Sequence, residues 1–333
     1  MRTFLARRWF LLVIVVGAVA VWRWPAGLRW TRSVDPTATG AVAIFLSAWT
    51  LESRRLLGAL VRPAAALGAL CVSYGLLPSL ALLAGHLLPH PDLRIGLLLI
   101  ASVPCTLASA VIWTRLAGGN EATALLITLL TNLTGWLFTT AWLMLATGEA
   151  EAGPDAGGMM TRLVLVLVVP VGLGQLLRAA PPLARAATRH KVFLSVAARL
   201  LTVLSMFTAA VEVRDRLDGG AAVSGWLVGW TAVLCLATHL GALAGGFWGS
   251  RGLGLDRPDQ VAVAIGGSQK TLPIALILFD AYFSAYPLAV VPLAFFHVGQ
   301  LIADTFIADG LAGRRSGEPV LPDATELEAD NAI

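Results

Sequence analysis

Lysine is nearly missing from this chain: of its 24 basic residues, 22 are Arg and two, Lys191 and Lys270, are Lys. Charge of either sign is scarce too, at 13% of 333 residues against 57% hydrophobic, with a mean hydropathy of +0.77. Those proportions exclude a water-soluble core of ordinary size and leave a multi-span membrane protein. Cysteine occurs three times, as Cys71, Cys105 and Cys235, each inside an apolar segment and without CxxC or CxxH spacing. That excludes a disulfide scaffold or a zinc site and leaves small buried hydrophobes. Also missing are HExxH, GxSxG, a P-loop and a GxGxxG after a strand. Hydrolase, ATP-driven and dinucleotide chemistry have no residues to work with, and an enzyme is not expected. An intramembrane protease wants paired aspartates or a Ser and His in facing spans, whereas Asp280, Asp304 and Asp309 fall toward span ends. No nucleic-acid partner is expected; the partners are a lipid bilayer and a small solute.

What is present is a series of apolar runs. Their breaks place spans near 9–24, 37–52, 63–88, 93–117, 121–147, 160–179, 193–213, 222–249, 259–281 and 286–311, the second being the shortest. The N-terminal "MRTFLARRWFLLVIVVGAVAVW" imitates a signal peptide, but no small-x-small cleavage site follows and "WRWPAGLRW" reads as an interfacial belt, so it is expected to stay as span 1. The acidic segment "GEAEAGPDAGG" divides ten spans into five and five, giving repeats over 1–152 and 153–313, followed by an acidic, disordered tail over 314–333. "PPLARAATRHK" reads as a basic linker on the lipid surface. Leaving out Arg199 and Lys270, which lie within spans, fifteen Lys and Arg fall on the side of both termini and seven on the other. Both termini are therefore expected in the cytoplasm, with the chain in the cell (inner) membrane.

Five spans per half make duplicated halves inverted with respect to each other. Span 4 carries "SVPCTLASAV" and span 9 carries "AIGGSQKTLPIA", polar interruptions at the same place in each half. Corresponding interrupted helices mark a binding site, because unwound backbone at that depth needs protein or a watered cavity to satisfy it. Lys270 is the sharpest feature. A lysine at the bilayer centre costs roughly 2.5–3.5 kcal/mol on insertion scales and must face a cavity, a carboxylate or free carbonyls. Few carboxylates are on offer to it; Glu121 at the start of span 5, Asp280 at the end of span 9, and Asp304 and Asp309 late in span 10 are the candidates. Around Lys270 stand Ser268, Gln269 and Thr271; span 4 adds Thr106, Ser109 and Thr114; Asn120, Thr128, Thr131 and Asn132 belong to span 5. Each hydroxyl can simply bond back to its own helix, so their clustering carries the reading. His297 and Gln300 form a further polar pair in span 10, read as a hydrogen bond across helices.

"GGSQKTL" resembles the GSKKSL signature of the sodium-bile acid symporter-like family, a branch of the bile acid:sodium symporter (BASS) superfamily that lacks the sodium-coupled members' acidic motif. "PCTLASAVIWTRLAGGN" is similar to that branch's span 4, and "IFLSAWTLESRRLLGAL" and "PLAFFHVGQLIADTFIA" to its spans 2 and 10. The resemblance implies an all-α membrane fold of ten helices in two inverted repeats. A panel of helices 1, 2, 6 and 7 faces a core of helices 3 to 5 and 8 to 10, with helices 4 and 9 broken and crossed. It implies a secondary active transporter of a small organic anion or amphipathic solute, working by alternating access. In sodium-coupled relatives the crossing binds sodium; Thr128, Thr131, Asn132 and Gln269 fall in comparable places, while Ile265, Gly266 and Gly267 stand where the glutamate would be. The expected role of Lys270 is that of a surrogate cation, as a fixed counter-charge or as a group that gives up and regains a proton, so the coupling ion is sodium or a proton. The alternatives are an ordinary sodium-coupled organic anion symporter and a non-transporting membrane regulator on the same fold.

Overall fold

The computed structural model describes residues 16, 17, 20, 23–52, 63–147, 155–218 and 224–313. Among the described residues every regular element is helical and no strand occurs. Two short turns, Pro25–Leu28 and Arg29–Ser33, lead into α1 (Pro36–Thr50). Next come α2 (Pro63–Gly85), α3 (Pro91–Ser102), α4 (Leu107–Leu116), α5 (Glu121–Thr147), α6 (Ala156–Ala179), α7 (Pro181–Arg189) and α8 (Lys191–Asp218). The described residues close with α9 (Gly225–Gly252), α10 (Arg257–Ser268), α11 (Leu272–Leu278, running on into a π-turn over Phe279–Phe283) and α12 (Val290–Gly313).

Helix starts follow cap chemistry visible in the sequence. Asp35 accepts the Thr37 N–H ahead of α1, Asp155 those of Gly157 and Gly158, Ser224 that of Leu227, and Asp256 that of Asp259. Each supplies one of the acceptors that the first turn lacks, and the prolines at positions 36, 91 and 258 stand where no N–H is needed.

Seven helices are long and apolar enough to cross a membrane, counting α10 and α11 as one; α3 and α4, bent by 71° at their break, make an eighth. These eight coincide with expected spans 3 to 10. The second expected span is α1, whose 15 residues reach about 22 Å, short of the roughly 30 Å of hydrocarbon. The first expected span lies for the most part outside the described residues, as do the centre of the acidic segment and the 314–333 tail. Leu145, Phe193 and Trp226 are exposed on the outer surface, where lipid rather than water solvates them.

Two groups of helices can be distinguished by packing. α1 lies against α6 and α8; α10 lies among α2, α5 and α9; and α12 lies against α3 and α9. α11 touches both groups, through α1 and α8 on one side and α12 on the other. Gln175 on α6 donates to the Ala48 carbonyl and Arg178 to that of Trp49, satisfying the C-terminal end of α1. Arg29 and Arg32 pair with Asp215 and Glu212 at the far end of α8.

The span made by α10 and α11 is the innermost: its most apolar 18-residue window is 100% buried, against 28% for α8. Glycine makes that position reachable. A Cβ on Gly267 would stand 2.8 Å from Val72, and one on Gly266 2.9 Å from Ile127, so α2 and α5 close on α10 only because neither side chain exists. Lys270 follows directly, so its side chain has no route to the lipid headgroups.

Candidate functional site

The α3–α4 break starts at Pro104, which lacks an N–H and pushes Val103 into extended geometry at ψ 162°. Thr106 is extended as well, so the carbonyls of residues 102 to 105 leave the helical ladder. All four find donors elsewhere. Ser102 takes the Thr139 hydroxyl at 2.8 Å, Val103 the Lys270 ammonium at 2.8 Å, Pro104 the Thr271 N–H at 3.0 Å and Cys105 the Asn132 amide at 2.9 Å. The α10–α11 break is satisfied from the other side: the Lys270 N–H donates to Gln300 Oε1 at 2.8 Å, and the Lys270 carbonyl accepts from Gln300 Nε2 at 2.7 Å. His297 Nδ1 also lies 3.1 Å from that carbonyl. The Gln300 amide thus pairs with an unwound peptide much as a neighbouring strand would. Irregular backbone at this depth survives because these freed groups are paired within the protein.

Lys270 Nζ donates to three oxygens: Ser73 O at 2.7 Å, Ser73 Oγ at 2.8 Å and Val103 O at 2.8 Å. An ammonium has three N–H bonds, and each is used. The Ser73 carbonyl is free because Val72–Leu76 forms a π-turn within α2, and the Tyr74 ring lies 5.0 Å from Nζ. Tyr74 is held in turn by its hydroxyl on the Thr131 carbonyl. The partners are carbonyls, a hydroxyl and a ring face; none of the four carboxylates named from the sequence bonds to Nζ.

One of those carboxylates nevertheless belongs to the site. Asp304 is 1% exposed; its Oδ2 accepts from Gln269 Nε2 at 2.6 Å and its Oδ1 lies 2.9 Å from His239 Nε2. This corrects the placement of Asp304 toward a span end: at seven residues from His297 and four from Gln300 it shares their face of α12 and points at the break. His239 Nδ1 faces the Ser268 carbonyl at 3.2 Å, so both ring nitrogens face acceptors. On its other side Gln269 Oε1 accepts the hydroxyls of Thr106 at 2.5 Å and Ser109 at 3.0 Å.

Thr106 and Ser109 open onto a cleft between the two helix groups. Ala43, Ile44 and Ser47 of α1 and Ala198, Arg199 and Thr202 of α8 form one wall. The break residues Cys105 to Ser109, with Asn132, Thr271, Pro273, His297 and Leu301, form the other. His297 is 1% exposed and its Nε2 has no partner. Thr106 makes no side-chain cap to α4, so the first-turn N–H groups of Leu107, Ala108 and Ser109, all lining residues, carry the positive end of the helix.

The profile of the SBF-like CPA transporter family matches residues 8–313. The chain belongs to that family. An uncharacterized protein of Pseudomonas aeruginosa is 32% identical over 235 residues, covering 68% of this chain and 67% of its own. The putative symporter YfeH of Escherichia coli is 28% identical over 257 residues, 72% of each chain. The probable sodium/metabolite cotransporter BASS4, chloroplastic, of Arabidopsis thaliana is 26% identical over 231 residues, 66% of this chain and 52% of that one. The protein is therefore a multi-pass membrane transporter and not an enzyme.

Within this transporter the residues singled out from the sequence divide in two. Thr106, Ser109, Asn132, Gln269, Lys270, Thr271, His297 and Gln300 meet at the breaks. Thr128 and Thr131 donate to carbonyls of their own helix, as does Ser268, although the Ser268 carbonyl receives His239. Thr114 is buried with its hydroxyl unpartnered and lies outside the cleft lining. Asn120 caps α5, accepting from Ala122 and Thr123, and donates to Asp259 at the start of α10, a full helix away from Lys270. Four participants were not found from the sequence: Ser73, Tyr74, His239 and Arg199. Asp304 carried a signal in its spacing from His297 and Gln300; Arg199 carried one as an arginine inside a span.

Proposed function

We propose that this protein is a secondary active carrier of a small organic anion in the inner membrane, with both termini cytoplasmic and two inverted five-helix halves meeting near residue 153. Helices α1, α6 and α8 serve as the panel and the helices around the two breaks as the core. Movement of one against the other exposes the cleft to each side in turn. The observation that carries this reading is the cleft itself, which lies between the two groups and ends on the meeting point of two broken helices. Lys270 acts as a fixed counter-charge in the place of a bound cation, a role supported by its three neutral oxygen partners and tyrosine ring. Its charge and the positive end of α4 favour a negative group in the cleft. Ser268 and Gln269 are turned inward, while Thr106, Ser109, Asn132, Thr271 and His297 line the cleft.

A second reading, sodium-coupled symport, draws on the name of the Arabidopsis thaliana relative. Uptake of labelled organic anions into proteoliposomes, with sodium and pH gradients imposed separately, separates the two. The first reading expects uptake without sodium that is lost in Lys270→Met. Sodium-driven uptake that survives the substitution would overturn the surrogate-cation role. Uptake that follows an imposed pH gradient identifies a proton as the travelling partner. Any saturable uptake excludes a regulator without transport.

A further inference from the structure

Arg199 lies in the membrane-spanning part of α8 and is the single residue with a formal charge on the cleft lining. Among the described residues no carboxylate, carbonyl or hydroxyl accepts from its guanidinium. A second cavity adjoins the cleft and shares Ala108 and Arg199 with it. Its other charges are paired: Lys191 with Glu52 at 3.2 Å and Arg115 with Glu121 at 4.0 Å. Arg199 therefore stands at the neck between an outer vestibule of compensated charge and an inner cleft that holds no acid.

An arginine kept inside a span without a partner is costly, and such a residue marks a ligand or ion path. Opposite it, on the core wall, are the uncapped first turn of α4 and the buried, unpartnered Nε2 of His297. Much of the remaining lining is apolar, with Ala43, Ile44, Pro273 and Leu301. We infer that Arg199 binds the negative head of the transported solute from the panel side, so that the solute is an amphipathic monoanion, a carboxylate or sulfonate on an apolar body. This rests on the organic-anion reading above and adds the residue and the ligand class. The head is held between α8 and the core, so binding senses the spacing of the two groups, and the single cation matches a single negative charge. A guanidinium suits the task because its planar fork meets two oxygens of a carboxylate or sulfonate at once.

The test uses the purified full chain in lipid nanodiscs and reads the ligand-induced rise in unfolding temperature with octanesulfonate, its neutral counterpart octanesulfonamide and the dianion succinate. Octanesulfonate is expected to bind wild type at least tenfold more tightly than either of the others. Arg199→Gln should lose that preference at least tenfold, and Arg199→Lys should recover part of it. Because Arg199 has no partner to strand, both variants are expected to fold as the wild type does. If octanesulfonate binds Arg199→Gln as it binds wild type, the assignment of Arg199 falls while the organic-anion reading stands. If octanesulfonamide binds wild type as tightly as octanesulfonate, the organic-anion reading itself falls.

Discussion

Lys270 and Arg199 are both cations inside membrane-spanning helices, and the fold treats them in opposite ways. Lys270 sits on the innermost span with each N–H on an oxygen and an aromatic ring beside it. Arg199 sits where two cavities meet, with no acceptor among the described residues. The first is a finished interaction that holds two breaks together, and the second is an unfinished one whose partner has to arrive from outside. In a medium where an unpaired charge is expensive, the difference between structural and ligand-binding cations reduces to whether the protein supplies the acceptors.

Substitutions test that contrast directly. Lys270→Met should be the most damaging, because it leaves Ser73 O, Ser73 Oγ and Val103 O buried without a donor; a loss of about 3–5 kcal/mol is expected, read as a lower unfolding temperature in nanodiscs. Asp304→Asn keeps the shape but offers His239 and Gln269 only one acceptor oxygen between them, for a loss of about 2 kcal/mol in the same measurement. Asn120→Ala removes the α5 cap and its link to Asp259, a loss of about 1 kcal/mol, with octanesulfonate binding unchanged because the cleft is elsewhere. Arg199→Met should cause no loss of stability, since it removes a charge the protein does not pair, and the unfolding temperature should stay at or above that of wild type while anion preference is abolished. A large loss of stability at Arg199, or none at Lys270, would dissolve the contrast.

The spans, the two interruptions and the lysine were readable from the chain because each is a departure from a simple rule. Polar residues and proline are rare in hydrocarbon, so "SVPCTLASAV" and "AIGGSQKTLPIA" stand out. His297 and Gln300 were read as a hydrogen bond across helices, and both meet the Lys270 carbonyl. Thr114 and Asn120 share a segment with Thr106 and Ser109, yet the run of α4 and its close carry them away from the break. Sequence proximity lists hydroxyls without saying which face of a bent helix they occupy. His239 gave no signal, since one histidine in the apolar run of α9 looks like a lone polar residue until α12 is packed beside it.

By itself, then, the sequence determined that the protein is a bundle of membrane-crossing helices with two breaks and a buried cation, because hydrophobic length, proline and charge act locally and need no partner to be recognised. The tertiary structure alone decided which acceptors satisfy Lys270, that Asp304 reaches the break rather than a span end, and that Arg199 faces a cleft. Those depend on which helix faces which, and the physical content of a polar group in a membrane is set by the group across from it.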